Sequence, residues 1–269
     1  MCSSSGPSHP VKPPTICLMP QQAFDVDHHG QTIRGMIYRP EGSARVPTIL
    51  LLHSFTGQRA ESGFLFVQLA RALMCRGMGA VTFDFLHSGE SDGSFDQMLP
   101  TGELADVLHI TQWLQRQPFV DRSRLGVLGF SLGGLLAACA AARINAYRAM
   151  VLVAPTTVEN LDQYVQQRDD NGLIIIGSHK IHPSFLDDLR SLDPIHDITR
   201  HPCPTLVVHG TGDKIVPRDI VEIFIDAMLK TNVPATLELI ENANHNFTHP
   251  NWQRRLIDTV ADWFQRYLA

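Results

Sequence analysis

The stretch Leu125-Gly126-Val127-Leu128-Gly129-Phe130-Ser131-Leu132-Gly133-Gly134 decides how this chain is read. An apolar run leads into it as a buried strand would, and a Leu- and Ala-rich run over 131–144 leaves it as a helix would. Between them stands the pattern Gly-x-Ser-x-Gly. A serine on a tight strand-to-helix turn needs neighbours without bulk two residues to either side, and Gly129 and Gly133 meet that need. Gly134 lets the helix lie close to the strand. The start of the helix aims free N–H groups and the positive end of its dipole at negative charge developing beside the serine. The pattern points to Ser131 as a nucleophile.

A serine nucleophile needs a base, and the base needs an orienting acid. Two later strand-like runs each end on a candidate. The run 205–208 is followed by His209-Gly210-Thr211-Gly212-Asp213, and the run 236–240 by Glu241-Asn242-Ala243-Asn244-His245. Asp213 is therefore expected as orienter and His245 as base. Both stand just past the carboxyl end of a strand, and parallel strands bring those ends to the sheet edge that also carries Ser131. An oxyanion needs two backbone N–H donors. These are expected from Leu132, next after the nucleophile, and from Phe55 in the loop His53-Ser54-Phe55-Thr56-Gly57.

Eight strand-like runs are read: 23–27, 32–38, 48–52, 79–85, 125–130, 149–154, 205–208 and 236–240. The first two flank His28-His29-Gly30, a hairpin with Gly30 at positive φ. From residue 48 onward the runs are apolar on both faces, as buried parallel strands require. Helical periodicity covers 64–74, 104–114, 131–144, 220–229 and 252–268. The expected fold class is α/β: an eight-stranded, mostly parallel sheet flanked by helices, with antiparallel strands at one edge. Between residues 154 and 205 no sheet strand is read, only a short helix near 184–192. This interval is expected to be a small cap inserted after the sixth strand, at about 156–203. The domain spans 21–269, and the Ser- and Pro-rich residues 1–20 are expected to form a disordered or extended tail.

Composition removes several function classes. The 269 residues carry 22 Lys and Arg against 27 Asp and Glu, a net charge of −5. A nucleic-acid binder would show a basic excess instead. No apolar run approaches the length of a membrane span, and the N-terminal stretch lacks the apolar run of a secretory signal, so a cytoplasmic protein without stable membrane insertion is expected. Five cysteines without a CxxC pair argue against a disulfide framework or a zinc ribbon. Thirteen histidines raise the question of a metal. His245 and His249 have the spacing of helical zinc ligands, but Asn246 stands where the catalytic glutamate would, and Pro250 makes the segment a loop. His179 and His182 lack a third ligand. No metal and no cofactor are expected. Serine at the strand-to-helix turn also disfavours the Asp-based chemistry of epoxide hydrolases and dehalogenases and the Cys-based chemistry of dienelactone hydrolases.

Taken together, His53-Ser54-Phe55-Thr56-Gly57, Phe83-Asp84-Phe85 followed by Gly89-Glu90-Ser91-Asp92-Gly93, the elbow, His209-Gly210-Thr211-Gly212-Asp213 and Ala243-Asn244-His245 resemble one family over about 21–268. It is the serine α/β-hydrolases, and within them the bacterial cinnamoyl/feruloyl-esterase-like and monoacylglycerol-lipase-like carboxylesterases. The resemblance implies cleavage of small-molecule esters of small-to-medium acyl or aromatic acids through an acyl-enzyme. Ser131 would be the nucleophile, His245 the base and Asp213 the orienter, with a cap shaping the pocket. It also implies that His53 and His209 are structural histidines shaping the active-site loops. Monoacylglycerol lipase, thioesterase and peptidase activities use the same three residues. A non-catalytic binding protein on this fold would usually lack one of them. Two departures stand out. Ser54 replaces the family's glycine, and the family's Gly-His-Gly after the fourth strand becomes His87-Ser88-Gly89, so His87 is given no role. Cinnamoyl esterases bind a phenolic hydroxyl with polar cap residues, and Asp162 and Tyr164 stand at about that place.

Overall fold

The computed structural model describes residues 20–42, 45–164 and 167–269. Except for Pro20, the expected tail at 1–20 lies outside the described residues. Strand β1 (Gln21–His28) pairs antiparallel with β2 (Gln31–Tyr38), from Gln21 opposite Tyr38 to His28 opposite Gln31. The two-residue turn between them has positive φ at both positions, 56° at His29 and 81° at Gly30. That is the mirror-image turn whose twist matches the flanking strands. Gly30 behaves as its sequence context predicts, and His29 joins it in the left-handed region.

The chain then alternates. It runs through β3 (Val46–Leu52), α1 (Leu65–Cys75), β4 (Gly79–Phe83), α2 (Pro100–Gln115), β5 (Val120–Phe130), α3 (Leu132–Arg143) and β6 (Tyr147–Val153). The interval that follows holds α4 (Val158–Tyr164), β7 (Ile174–Ile176) paired antiparallel with β8 (His179–Ile181), α5 (Ser184–Leu189) and α6 (Pro194–Ile198). Its buried Ile174, Ile181, Phe185 and Leu189 join the core on one face of the main sheet. The chain closes with β9 (Thr205–Gly210), α7 (Arg218–Leu229), β10 (Ala235–Ile240) and α8 (Pro250–Leu268).

Among the described residues the main sheet has eight strands in the order β1-β2-β4-β3-β5-β6-β9-β10. The pairs β1–β2 and β2–β4 are antiparallel and all others parallel. The eight strands and the antiparallel edge are those expected. Strand β5 starts earlier than residue 125, because Val120 pairs with Val46 across a register shift. Its polar residues 121–124 carry no apolar signal. Alternate residues of the central strands feed the two cores: Leu50 and Leu52 face the layer of α2, α3 and α7, and Ile49 and Leu51 face the layer of α1 and α8. Among the described residues no helix is long and apolar enough to cross a membrane.

Helix α2 buries two carboxyl groups with little compensation. The Asp106 Oδ2 accepts the Leu86 N–H at 2.8 Å, and its Oδ1 lies 3.9 Å from the His28 Nδ1. Burial pushes the Asp106 carboxyl up to about 7, and burial beside Asp106 raises Glu103 well above the usual range. An acid whose folded pKa exceeds its unfolded value holds an extra proton in the native state, so stability falls as pH rises between roughly 4 and 7. Asp106→Asn keeps an acceptor for Leu86 and removes the ionisation. It is expected to raise stability at pH 8 by on the order of 3 kcal/mol and to change it little at pH 4. Urea unfolding at the two pH values checks this, and an equal change at both would contradict it.

Candidate active site

At the end of β5 the backbone turns sharply. Ser131 has φ 55° and ψ −114°, a conformation that costs a non-glycine residue about 1–3 kcal/mol. The surrounding backbone holds it there. The Ser131 N–H donates to the Val153 carbonyl at 2.9 Å, and the Ser131 carbonyl accepts from Gly134 and Leu135 at 2.9 and 3.2 Å. The flanking glycines are required by contact. A Cβ on Gly129 would stand 2.0 Å from the Gly133 carbonyl oxygen, and one on Gly133 would stand 2.3 Å from that of Leu52.

The structure brings Asp213 and His245 together. Asp213 follows β9 in a turn closed by its own N–H on the Gly210 carbonyl at 3.0 Å. Its Oδ1 accepts from the Ile215 and Val216 N–H groups at 2.8 and 3.0 Å, and its Oδ2 lies 2.7 Å from the His245 Nδ1. Burial alone would raise this carboxyl. The His245 contact and the two N–H donors outweigh it and hold the group below the usual carboxylate range. An ionised Asp213 accepts the Nδ1–H of a neutral imidazole, which leaves the His245 Nε2 free to take a proton. The imidazole packs on Phe130, ring centres 5.1 Å apart. Ser131 and His245 line one cavity of about 410 Å³.

His209 is buried 3.8 Å from the Asp213 Oδ2, too far for a hydrogen bond, and burial lowers its pKa and keeps it neutral. His249 caps α8, its Nδ1 accepting the Asn251 N–H at 3.3 Å. Among the described residues no group of three or more His, Cys, Asp or Glu is placed to hold a metal ion.

Leu132 is the first residue of α3, so its N–H has no acceptor within the helix. Phe55 sits in a turn closed by the Gly57 N–H on the Ser54 carbonyl at 2.9 Å, with Thr56 at φ 59°. The buried His53 fixes this peptide further. Its Nε2 accepts the Phe85 N–H at 3.3 Å, so Nδ1 carries the proton and donates it to the Ser54 carbonyl at 2.9 Å. Burial lowers the His53 pKa and keeps that tautomer neutral. In a trans peptide the C=O and the next N–H point in opposite directions. Two donors on the Ser54 carbonyl therefore turn the Phe55 N–H away from the clamp, and the Phe55 residue lines the cavity.

Several residues of the site have no sequence signal. Glu61 is buried at the cavity wall, and its Oε1 accepts the Ser54 N–H. Arg59 pairs with the buried Asp84 and with Glu90, pinning the same loop to the one after β4. From the interval after β6, Asn160 and Leu161 of α4 and Ile176 of β7 reach the cavity. Asp162 instead pairs with Arg190 at 2.9 Å and lines a separate groove. The Tyr164 side chain lies outside the described residues. His87 packs on the Cα of Gly93, away from the cavity.

The sequence profile of the prolyl oligopeptidase family (Peptidase S9) matches residues 71–269. The chain belongs to the prolyl oligopeptidase family. A member of this family is a hydrolase of the α/β fold, esterase- or peptidase-like. Two curated relatives align over most of the chain. An uncharacterized 31.7 kDa protein from the traX-finO intergenic region of Escherichia coli is 34% identical, covering 85% of this chain and 94% of its own. A putative esterase of Bacillus subtilis, YitV, is 24% identical, covering 88% and 98%. Among solved structures, Est1E from Butyrivibrio proteoclasticus with bound ferulic acid superposes with a TM-score of 0.81 at 19% identity, over 91% of this chain and 98% of that one. At that identity the likeness establishes the α/β-hydrolase fold and nothing finer about this member of the prolyl oligopeptidase family.

Proposed function

We propose that this protein is a carboxylesterase-type serine hydrolase acting on neutral esters of small-to-medium acyl or aromatic acids. The observation that carries the reading is the buried Asp213 carboxylate held 2.7 Å from the His245 Nδ1, on a cavity that also presents Ser131 at its strained elbow. In the proposed reaction the His245 Nε2 takes the Ser131 proton as Oγ attacks the ester carbonyl. The N–H groups of Phe55 and Leu132 receive the oxyanion. The alcohol leaves with the proton from His245, and the acyl group stays on Ser131. Water then attacks under the same base, releases the acid and restores the serine.

The cavity supports the substrate class. Phe55, Leu161, Ile176, Ile215 and Val216 supply apolar lining, among the described residues no Lys or Arg lines the cavity, and the carboxylate of Glu61 is bound to backbone N–H groups. Such a site favours an uncharged acyl group over an anionic one. A cap at about 156–203, supplying Thr156, Asn160, Leu161 and Ile176, would bound its length. A panel of p-nitrophenyl esters from acetate to palmitate, with methyl ferulate, tests this. Turnover is expected to peak at short to medium chains and to fall by about tenfold or more at palmitate. A rise continuing to palmitate would make it a lipase. The family match favours a peptidase as the second reading, and faster cleavage of peptide p-nitroanilides than of any ester would establish that instead.

A further inference from the structure

We propose that Glu61 is a positioning residue for the oxyanion: its carboxylate holds the Ser54–Phe55 backbone so that the Phe55 N–H is ready before substrate arrives. The inference rests on the ester-hydrolysing reading and deepens it. Both carboxylate oxygens are committed to backbone. Oε1 accepts the Ser54 N–H at 2.5 Å, and Oε2 accepts the Ser62 N–H at 3.2 Å. Ser54 is thus gripped at both ends, its N–H by Glu61 and its carbonyl by the His53 Nδ1 and the Gly57 N–H. With both of its flanking peptide planes tied, the Phe55 N–H has little freedom to swing. The packing leaves no slack: a Cβ on Gly57 would stand 2.8 Å from the Ser54 carbonyl oxygen and 3.0 Å from the Glu61 Oε1.

Two further observations separate this from an ordinary loop contact. Glu61 is 6% exposed yet forms part of the cavity wall, and among the described residues it pairs with no Lys or Arg, so its buried charge needs a reason. Its backbone also sits at φ 59°, ψ 168°, a region that favours glycine. Glycine at this position would relieve the strain and avoid burying a charge. A glutamate there fits a task done by its side chain. That task is preorganisation: a donor fixed in advance costs no rearrangement as the oxyanion forms.

The test compares Glu61→Gly, which keeps the backbone conformation available, with Glu61→Gln, which keeps an acceptor for Ser54 but faces Ser62 with a donor. Each is assayed on a p-nitrophenyl ester beside the wild type and Ser131→Ala. The expected result for Glu61→Gly is a kcat lower by about 10- to 100-fold, a KM within about threefold, and a matching loss of affinity for a tetrahedral boronic acid. Glu61→Gln should recover part of this, leaving kcat about three- to tenfold below wild type. Thermal melts confirm that each variant is folded, and Glu61→Gln alone decides the matter if Glu61→Gly does not fold. Wild-type kcat in either folded variant, or a loss confined to KM, would overturn the proposal. Failure of the underlying reading shows separately, as activity retained by Ser131→Ala.

Discussion

Ser131→Ala is expected to lower kcat on a p-nitrophenyl ester by about 10³- to 10⁶-fold while the protein stays folded. The elbow is held by backbone hydrogen bonds, from the Ser131 N–H to Val153 and from Gly134 and Leu135 to the Ser131 carbonyl. The hydroxyl carries none of these. Alanine keeps them and bears the same positive φ, so the melting temperature should move by no more than a few degrees. What disappears is the oxygen proposed to form the acyl-enzyme. The activity that remains would come from the N–H groups at the start of α3 and the Phe55 loop acting on water attack. Retention of more than about a tenth of the wild-type rate would refute the assignment of Ser131.

Asp213→Asn is expected to cost about 10⁴-fold in kcat, for a reason legible in its contacts. The Oδ1 of Asp213 is claimed by the Ile215 and Val216 N–H groups, so an asparagine must place its carbonyl there. Its amide NH2 then faces the His245 Nδ1. That nitrogen must become the acceptor, and the proton moves to Nε2, the atom that should take the Ser131 proton. The substitution is nearly isosteric and satisfies the turn, so stability should change little while the base is held in the wrong tautomer. Nitrogen-15 NMR of the imidazole would show the proton moving from Nδ1 to Nε2. Turnover within about tenfold of wild type, or an unchanged tautomer, would contradict the role given to Asp213.

The parts of this molecule that could be read from the sequence are those with a local signature. Strands buried on both faces, such as β3 and β4, announce themselves as largely apolar runs without polar–apolar alternation. Gly129 and Gly133 mark the elbow because each lies against backbone that leaves no room for a Cβ. The order serine, aspartate, histidine, each past a strand end, directs all three residues to one sheet edge. The hairpin β7–β8 escaped because three residues per strand are too few to show an alternation. The front of β5 escaped because its residues 121–124 are polar. Of the clamp around Phe55, His53 was legible through the resemblance, and its partners Glu61 and Arg59 escaped for another reason. His53, Glu61 and Arg59 act on backbone groups and carboxylates across loops, and such contacts have no period. The usual turn signal also fails there, since Thr56, Glu61 and Phe64 take positive φ without being glycine. Asp162 stands near the pocket by position alone, but α4 turns Asn160 and Leu161 to the cavity and Asp162 toward Arg190.

The most direct test of the central claim is labelling of the folded protein with a fluorophosphonate, followed by intact mass and peptide mapping. A serine made nucleophilic by the Asp213–His245 pair should take up one label per chain, on the peptide that contains Ser131. The label should be absent from Ser131→Ala and from protein denatured beforehand. No label on the folded wild type, or a label on another residue, would contradict the account.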